Sequence, residues 1–314
     1  MSTHLFLSPE LGRYGFPEGH PLSVDRQGAF WRHARSRGLD RKVTLAESPA
    51  APREAILRFH DVEYVDRVIA ASRQGSGYLD YGDTPAFAGC YEIAAHVVGA
   101  ALEGARRIMA GEARRTFQPI GGLHHARRGG AAGFCVFNDP GVLIEALRAE
   151  HGVRRIAYVD IDVHHGDGVF YEFEDDPDLV CVDIHEDGRF LYPGTGAAHE
   201  TGSGTAEGTK LNLALLPGAG DGEFLRAWEK AERFIDEARP EFVILQCGAD
   251  GLAGDPLADL RLTAAAHAHA ARRLVALAER HSRGRLMAFG GGGYSLENLS
   301  AAWCAVLEVL VDPL

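Results

Sequence analysis

The feature that most constrains this chain is an alternation of two kinds of segment. Short, nearly continuous apolar runs rich in β-branched residues, Arg155–Ile161, Leu179–Ile184, Phe242–Cys247 and Arg285–Phe289, read as strands buried on both faces. Between them lie longer helical stretches. Asp139-Pro140 has the form of an N-cap followed by proline at the first helical position, opening Gly141–Glu150. Asp221 caps a predicted helix running to about Ala238, which Pro240 stops. Ala86–Ala110 and the alanine- and arginine-rich Thr263–Arg283 are two more helices, and Gly194–Gly208 is a long glycine-rich loop. Strands without polar alternation, separated by helices, predict an α/β fold with a parallel sheet covered on both faces. The sequence of 314 residues contains no internal repeat, low-complexity tract or compositional linker, so one domain over residues 1–314 is the expectation.

In such folds ligands bind beyond the carboxyl ends of the strands, and the residues that follow these runs are unusually polar. The run ending in Tyr158-Val-Asp160-Ile-Asp162-Val-His164-His165-Gly-Asp167 enters a cluster of acids and histidines. If the extended backbone continued, Asp160, Asp162 and His164 would share one face. Asp250 ends the next strand in Gln246-Cys-Gly-Ala-Asp250. Asp162, His164 and Asp250 together form a three-ligand set with open positions, the pattern of a catalytic rather than a structural metal, and suit zinc or iron(II). A lone Asp-x-His reads as a helix cap. So many ionisable groups at one strand terminus would be costly to bury without a metal or a mutual network. Gly121-Gly122-Leu123-His124-His125 places two histidines after a glycine pair, suited to acid–base work, with Asp160 and Asp167 available to hold their tautomers. Phe289-Gly290-Gly-Gly-Gly293-Tyr294 lets a backbone approach a ligand closely and presents a phenol that can stabilise an oxyanion. The glycines near Gly202 and the Gly208-Thr209-Lys210 triplet match neither a dinucleotide fingerprint nor a phosphate loop. His267 and His269 read as structural or solvated.

Charge narrows the partners. A formal net charge of −12 repels nucleic-acid phosphates and tolerates cationic substrates. Five scattered cysteines, Cys90, Cys135, Cys181, Cys247 and Cys304, without a Cys-x-x-Cys pair, argue against a disulfide framework. Residues 1–19 lack the basic start and apolar core of a signal peptide, and no apolar run is long enough for a bilayer. A cytoplasmic protein that binds neither nucleic acid nor membrane is expected.

Taken together these motifs resemble the histone deacetylase superfamily, in particular its bacterial acetoin-utilisation and acetylpolyamine amidohydrolase-like members, in order from His20-Pro21 to Trp303. The resemblance implies an arginase-like single α/β domain with a mainly parallel eight-stranded sheet. It implies a metal-dependent amidohydrolase that removes acetyl or related acyl groups from lysine, or from a small acetylated amine such as a polyamine. Asp162, His164 and Asp250 match the metal ligands, usually for zinc and sometimes for iron(II). His124 and His125 match the tandem histidines, paired with Asp160 and Asp167, with His125 the main base and acid. Tyr294 matches the carbonyl-polarising tyrosine. Gly133 and Phe134 match one wall of the acyl-lysine tunnel, Tyr192 stands where the opposite wall usually has phenylalanine, and Asp83 matches a rim aspartate that binds substrate backbone. Three positions depart from the family. Leu123 replaces an aromatic or proline before the histidines, which bears on acyl preference. Asp183 stands where serine often lies near a potassium ion held partly by the Asp160, Asp162 and His164 carbonyls. Leu257 replaces the glutamate gatekeeper that polyamine-selective members can carry, and so disfavours a polyamine substrate. A ureohydrolase would need further aspartates at spacings absent here, and a silent binding protein would not need every chemical position filled. Oligomeric state, homo-oligomer included, is left open.

Overall fold

The computed structural model describes residues 2–17 and 19–312. Its core is one sheet of eight strands, all parallel, in the order β2-β1-β3-β8-β7-β4-β5-β6. The strands are β1 (Thr3–Phe6), β2 (Val43–Ala46), β3 (Arg115–Gln118), β4 (Ile156–Asp160), β5 (Leu179–Glu186), β6 (Lys210–Leu215), β7 (Phe242–Gln246) and β8 (Leu286–Phe289). Every residue of β3, β4, β7 and β8 is buried. That is why β4, β7 and β8 read as apolar runs, whereas β3, Arg-Thr-Phe-Gln, is buried with three polar side chains and does not read as a strand. The edge strand β2, with two exposed residues, does not share the pattern.

Helices α1 (Arg26–Ser36), α7 (Asp221–Ala238), α8 (Ala264–His281) and α9 (Leu296–Val311) pack side by side over one face. On the other face, α3 (Val62–Gln74), α4 (Cys90–Met109) and α5 (Asp139–His151) pack together. Two short helices, α2 (Arg53–Ile56) and α6 (Asp167–Glu172), complete the set among the described residues. The predicted parallel sheet and its two helical layers are present.

Several predicted boundaries are corrected. The long helix predicted from Ala86 begins at Cys90, because Gly89 takes a left-handed conformation with φ +86°. Asn138, not Asp139, caps α5, accepting from the Gly141 N–H at 2.8 Å. Asp139 is freed to accept from the N–H groups of Gly122 and Leu123, each at 2.8 Å. Asp221 is likewise the first residue of α7 rather than its cap, and its carboxylate accepts from the Thr263 N–H and hydroxyl at 2.8 and 2.6 Å. The extended backbone expected through His164 stops at Asp160. Beyond Ile161, the N–H groups of Asp162, Val163 and His164 are taken by the carboxylates of Asp160, Asp250 and Asp162, at 3.0–3.1 Å, instead of by a neighbouring strand.

The segments after β3, β4, β7 and β8 carry the residues singled out by the sequence. These four strands are contiguous at the centre of the sheet, in the order β3-β8-β7-β4. Topology therefore gathers four distant motifs at one crevice.

Candidate active site

Asp162, His164 and Asp250 converge so that one donor atom from each lies within 4.8 Å of the others, and all three are buried. His164 Nδ1 faces Asp162 Oδ1 at 3.1 Å and Asp250 Oδ2 at 3.3 Å. Asp250 Oδ2 is fully buried without a hydrogen bond. An orphaned carboxylate oxygen beside a second carboxylate and an imidazole calls for a cation, so this donor set fits a divalent metal ion. The second oxygen of Asp162 accepts from Gln246 Nε2 at 2.9 Å and from the Gly292 N–H at 2.8 Å, which fixes the carboxylate's orientation. Gly248 and Gly292 permit this crowding, since a Cβ at either would lie 2.0 Å from an oxygen of Asp162 or Asp250.

The tandem histidines sit alongside. His124 Nδ1 faces Asp160 Oδ2 at 2.8 Å, His125 Nδ1 faces Asp167 Oδ1 at 2.6 Å, and the two Nε2 atoms are 3.1 Å apart. Their environments push them in opposite directions. Burial alone would lower His124, but Asp160 and Asp162 outweigh it and raise its pKa to about 10. Burial and the neighbouring His124 charge depress His125 to about 4. His124 therefore carries the proton and His125 is the free base. Their partners also diverge. Asp160 is pushed up to about 7 by burial. Asp167, although buried, is held below the usual carboxylate range by its bond to His125 and by the Arg127 guanidinium 2.6 Å away.

Tyr294 lines the same cavity, and burial with the Asp250 and Asp162 charges nearby drives its pKa well above the ordinary phenol value. It remains a protonated donor. The cavity floor includes Leu22, Leu123, Cys135 and Asp162, and its outer part opens between Asp83, Leu191, Tyr192 and Leu257. His125, Gly133, Phe134, His164 and Tyr294 line both parts, so floor and mouth form one continuous cleft. Phe134 meets Tyr294 edge-on at 5.9 Å, and Tyr192 meets His125 edge-on at 5.1 Å. The departures also have local settings. Leu123 lies on the floor, Leu257 at the mouth, and the Asp183 carboxylate takes bonds from His185 Nδ1 at 2.6 Å and the Gly166 N–H at 2.8 Å.

Sequence reasoning missed the groups that hold this cleft open. Phe134 has φ +69°, a strained conformation for a bulky side chain. Its N–H donates to Thr84 Oγ1 at 3.2 Å, and its carbonyl accepts from the Tyr14 hydroxyl at 2.9 Å. Thr84 in turn donates to Asp80, whose other oxygen takes three backbone N–H groups of the loop that carries Asp83. Arg26, buried and stacked on Trp303 at 5.1 Å, donates to the carbonyls of Gly291 and Gly293 at 2.5 and 3.1 Å. Nothing in the local sequence marks Tyr14, Arg26 or Thr84 as part of a site, because each acts on backbone far along the chain.

A fold of this topology, with paired histidines and an Asp-His-Asp cluster at its crevice, defines a class of metal-dependent amide hydrolases. Comparison with known proteins agrees. The histone deacetylase domain family matches residues 20–310, and the chain belongs to that family. It is 34% identical over 317 residues to the acetoin utilization protein AcuC of Bacillus subtilis, covering 98% of this chain and 82% of that one. It is 36% identical over 304 residues to a histone deacetylase-like amidohydrolase of Pseudomonas aeruginosa, covering 93% and 77%. The crystal structure of the HDA15 HD domain superposes with a TM-score of 0.91 at 28% identity, covering 99% of this chain and 88% of that one. The protein is thus a hydrolytic deacetylase of the histone deacetylase family.

Proposed function

We propose that the protein removes the acetyl group, or a related short acyl group, from the side-chain amine of lysine in proteins or peptides. The observation that supports this most directly is the convergence of His125, Tyr294 and the Asp162–His164–Asp250 cluster at the floor of a cleft walled by Phe134 and Tyr192. Such a cleft takes an aliphatic stem between aromatic faces and delivers its terminal amide to the polar end.

Asp162, His164 and Asp250 would hold the metal, proposed to be zinc with iron(II) as the alternative; when bound it supplies Lewis acidity to the amide carbonyl and to the attacking water. The chain's own groups do the rest. His125, unprotonated and oriented by Asp167, takes a proton from water as the water adds to the carbonyl carbon. Tyr294 donates a hydrogen bond to the carbonyl oxygen as negative charge develops there. A histidine of the pair then returns a proton to the leaving nitrogen, the C–N bond breaks, and the carboxylate and free amine depart. Asp83 at the mouth would bind substrate backbone, and the Gly133 carbonyl would accept the substrate amide N–H. The potassium expected beside the Asp160, Asp162 and His164 carbonyls would gain a nearby negative charge from Asp183. All five cysteines are buried and unpaired, which supports a reducing cytoplasm.

The test is hydrolysis of an acetyl-lysine peptide and of acetylputrescine by the metal-analysed protein, with Tyr294→Phe alongside. Turnover of the peptide, with kcat reduced about 10²–10³-fold in Tyr294→Phe at little cost in KM, is the expected result. Preference for acetylputrescine would move the substrate to small acetylated amines, and an unimpaired Tyr294→Phe would overturn the assigned chemistry.

A further inference from the structure

The Gly293–Tyr294 peptide bond is gripped from both sides. Arg26 Nε donates to the Gly293 carbonyl at 3.1 Å, and the Tyr294 N–H donates to Asp255 Oδ2 at 2.9 Å. The other oxygen of Asp255 accepts from the Leu257 N–H at 3.0 Å. Asp255 is 7% exposed, so this carboxylate has given up most of its water for these backbone bonds. It lies outside the metal-ligating cluster and touches neither tandem histidine. We infer that Asp255 is the positioning residue for Tyr294, joining the catalytic phenol's loop to Leu257 at the substrate mouth through one side chain.

The physical need for such a device lies in the loop itself. Four consecutive glycines precede Tyr294, and Gly293 has φ +121°, a conformation that side-chain-bearing residues rarely adopt. Glycines at 290, 291 and 292 are required by crowding, since a Cβ at any of them would lie about 2.0–2.4 Å from Pro119, Gln246 or Asp250. A segment built this way has no side chains of its own to fix the direction in which Tyr294 leaves the sheet. A phenol displaced by 1 Å loses much of its transition-state stabilisation. External anchors must supply the direction. Arg26 holds two carbonyls of the loop and Asp255 holds the amide, so the opposite charges of the two side chains face opposite ends of one peptide dipole. Because Asp255 also fixes Leu257, movement at the mouth and movement of the phenol share an anchor.

The inference rests on Tyr294 being the carbonyl-polarising group, and a double-mutant cycle separates the two ideas. The measurements are kcat and KM on an acetyl-lysine peptide for wild type, Asp255→Asn, Tyr294→Phe and the double variant, with thermal melts and metal content as controls. Asp255→Asn is expected to lower kcat by about ten- to a hundredfold in the Tyr294 background, and by less than about threefold once the phenol hydroxyl is gone. Asp255→Glu, which keeps the charge but moves it, should fall between. Equal losses in both backgrounds, or a loss confined to KM, would show that Asp255 does not act through Tyr294. Amide hydrogen exchange gives a second reading that does not depend on turnover. The Tyr294 and Leu257 amides should be protected in wild type and exchange together in Asp255→Asn, and an unprotected Tyr294 amide in wild type overturns the inference. Failure of the functional reading looks different, because Tyr294→Phe would then retain full activity while the protection pattern survived.

Discussion

His60 offers a quantitative test of how the tandem-histidine loop is supported. The ring is buried at 2% exposure, its Nε2 accepts from the Asn138 N–H at 2.9 Å, and its Nδ1 donates to the Arg128 carbonyl at 3.3 Å. Asn138 caps α5 and donates to the His124 and Ala126 carbonyls at 3.4 and 2.8 Å. His60 is therefore one step removed from the tandem histidines. An acceptor nitrogen has no room for a second proton, and burial lowers the His60 pKa from 6.5 to about 4. The native state thus binds this proton less readily than the unfolded chain, and stability falls as pH drops below 6.5 until the folded pKa is reached. At about 1.4 kcal/mol per tenfold, the drop amounts to about 2 kcal/mol by pH 5 and on the order of 3 kcal/mol by pH 4.

The assay is urea unfolding at pH 7 and pH 5 for wild type and His60→Gln, whose side-chain carbonyl can accept the Asn138 N–H without titrating. Other buried groups contribute to the total pH dependence, so the informative quantity is the difference between the two proteins. Wild type should lose about 2 kcal/mol more than His60→Gln between pH 7 and pH 5. If both lose the same amount, His60 is not held neutral, and the hydrogen-bond path from His60 through Asn138 to His124 is wrong.

Gly292→Ala would place a Cβ 2.0 Å from Asp250 Oδ2 and 2.8 Å from Asp162 Oδ2, so bound metal should fall by at least about tenfold in affinity and urea unfolding should show a loss of about 1–3 kcal/mol from the clash. Thr84→Val removes the hydroxyl that links Phe134 to Asp80 and should cost about 1–2 kcal/mol in urea unfolding. It should also raise KM for an acetyl-lysine peptide more than it lowers kcat, with Thr84→Ser close to wild type in both. Asp80 is held below the usual aspartate range, its partial burial outweighed by the Thr84 hydroxyl and the loop N–H groups. The stability it lends the rim loop is therefore complete above the ordinary aspartate pKa of 3.8 and lost as pH falls below it. Protection factors of the Gly82, Asp83 and Thr84 amides, corrected for intrinsic exchange, should fall over that acid range in wild type and already be low at neutral pH in Asp80→Asn.

The Asp-His-Asp cluster and Tyr294 were legible in the chain because each follows a strand whose apolar run is itself conspicuous. His124 and His125 were legible only from the glycine pair before them, since β3, Arg-Thr-Phe-Gln, carries no apolar run. Parallel topology then brings those strand ends together whatever the loops between them do. β4, β5, β7 and β8 were legible for the same reason, whereas β1, β2 and β3, four residues each and two or more of them polar in β1 and β3, carry too little pattern to stand out. What the sequence could not reveal are the groups that act on distant backbone. The Asp-Pro pairs show why. Asp176-Pro177 obeys the local rule, Asp176 accepting from the Asp178 N–H two residues on at 2.9 Å. Asp139-Pro140 and Asp255-Pro256 look identical in sequence, yet Asp139 holds the Gly122 and Leu123 amides before the tandem histidines, and Asp255 holds the Tyr294 amide in addition to the Leu257 N–H of its own turn. A dipeptide reports the turn it can make, and its other hydrogen-bond partners lie 16 to 39 residues away. Only the packed structure decides whether such a carboxylate also anchors a distant loop, and in this protein two of them hold the loops that carry the tandem histidines and Tyr294.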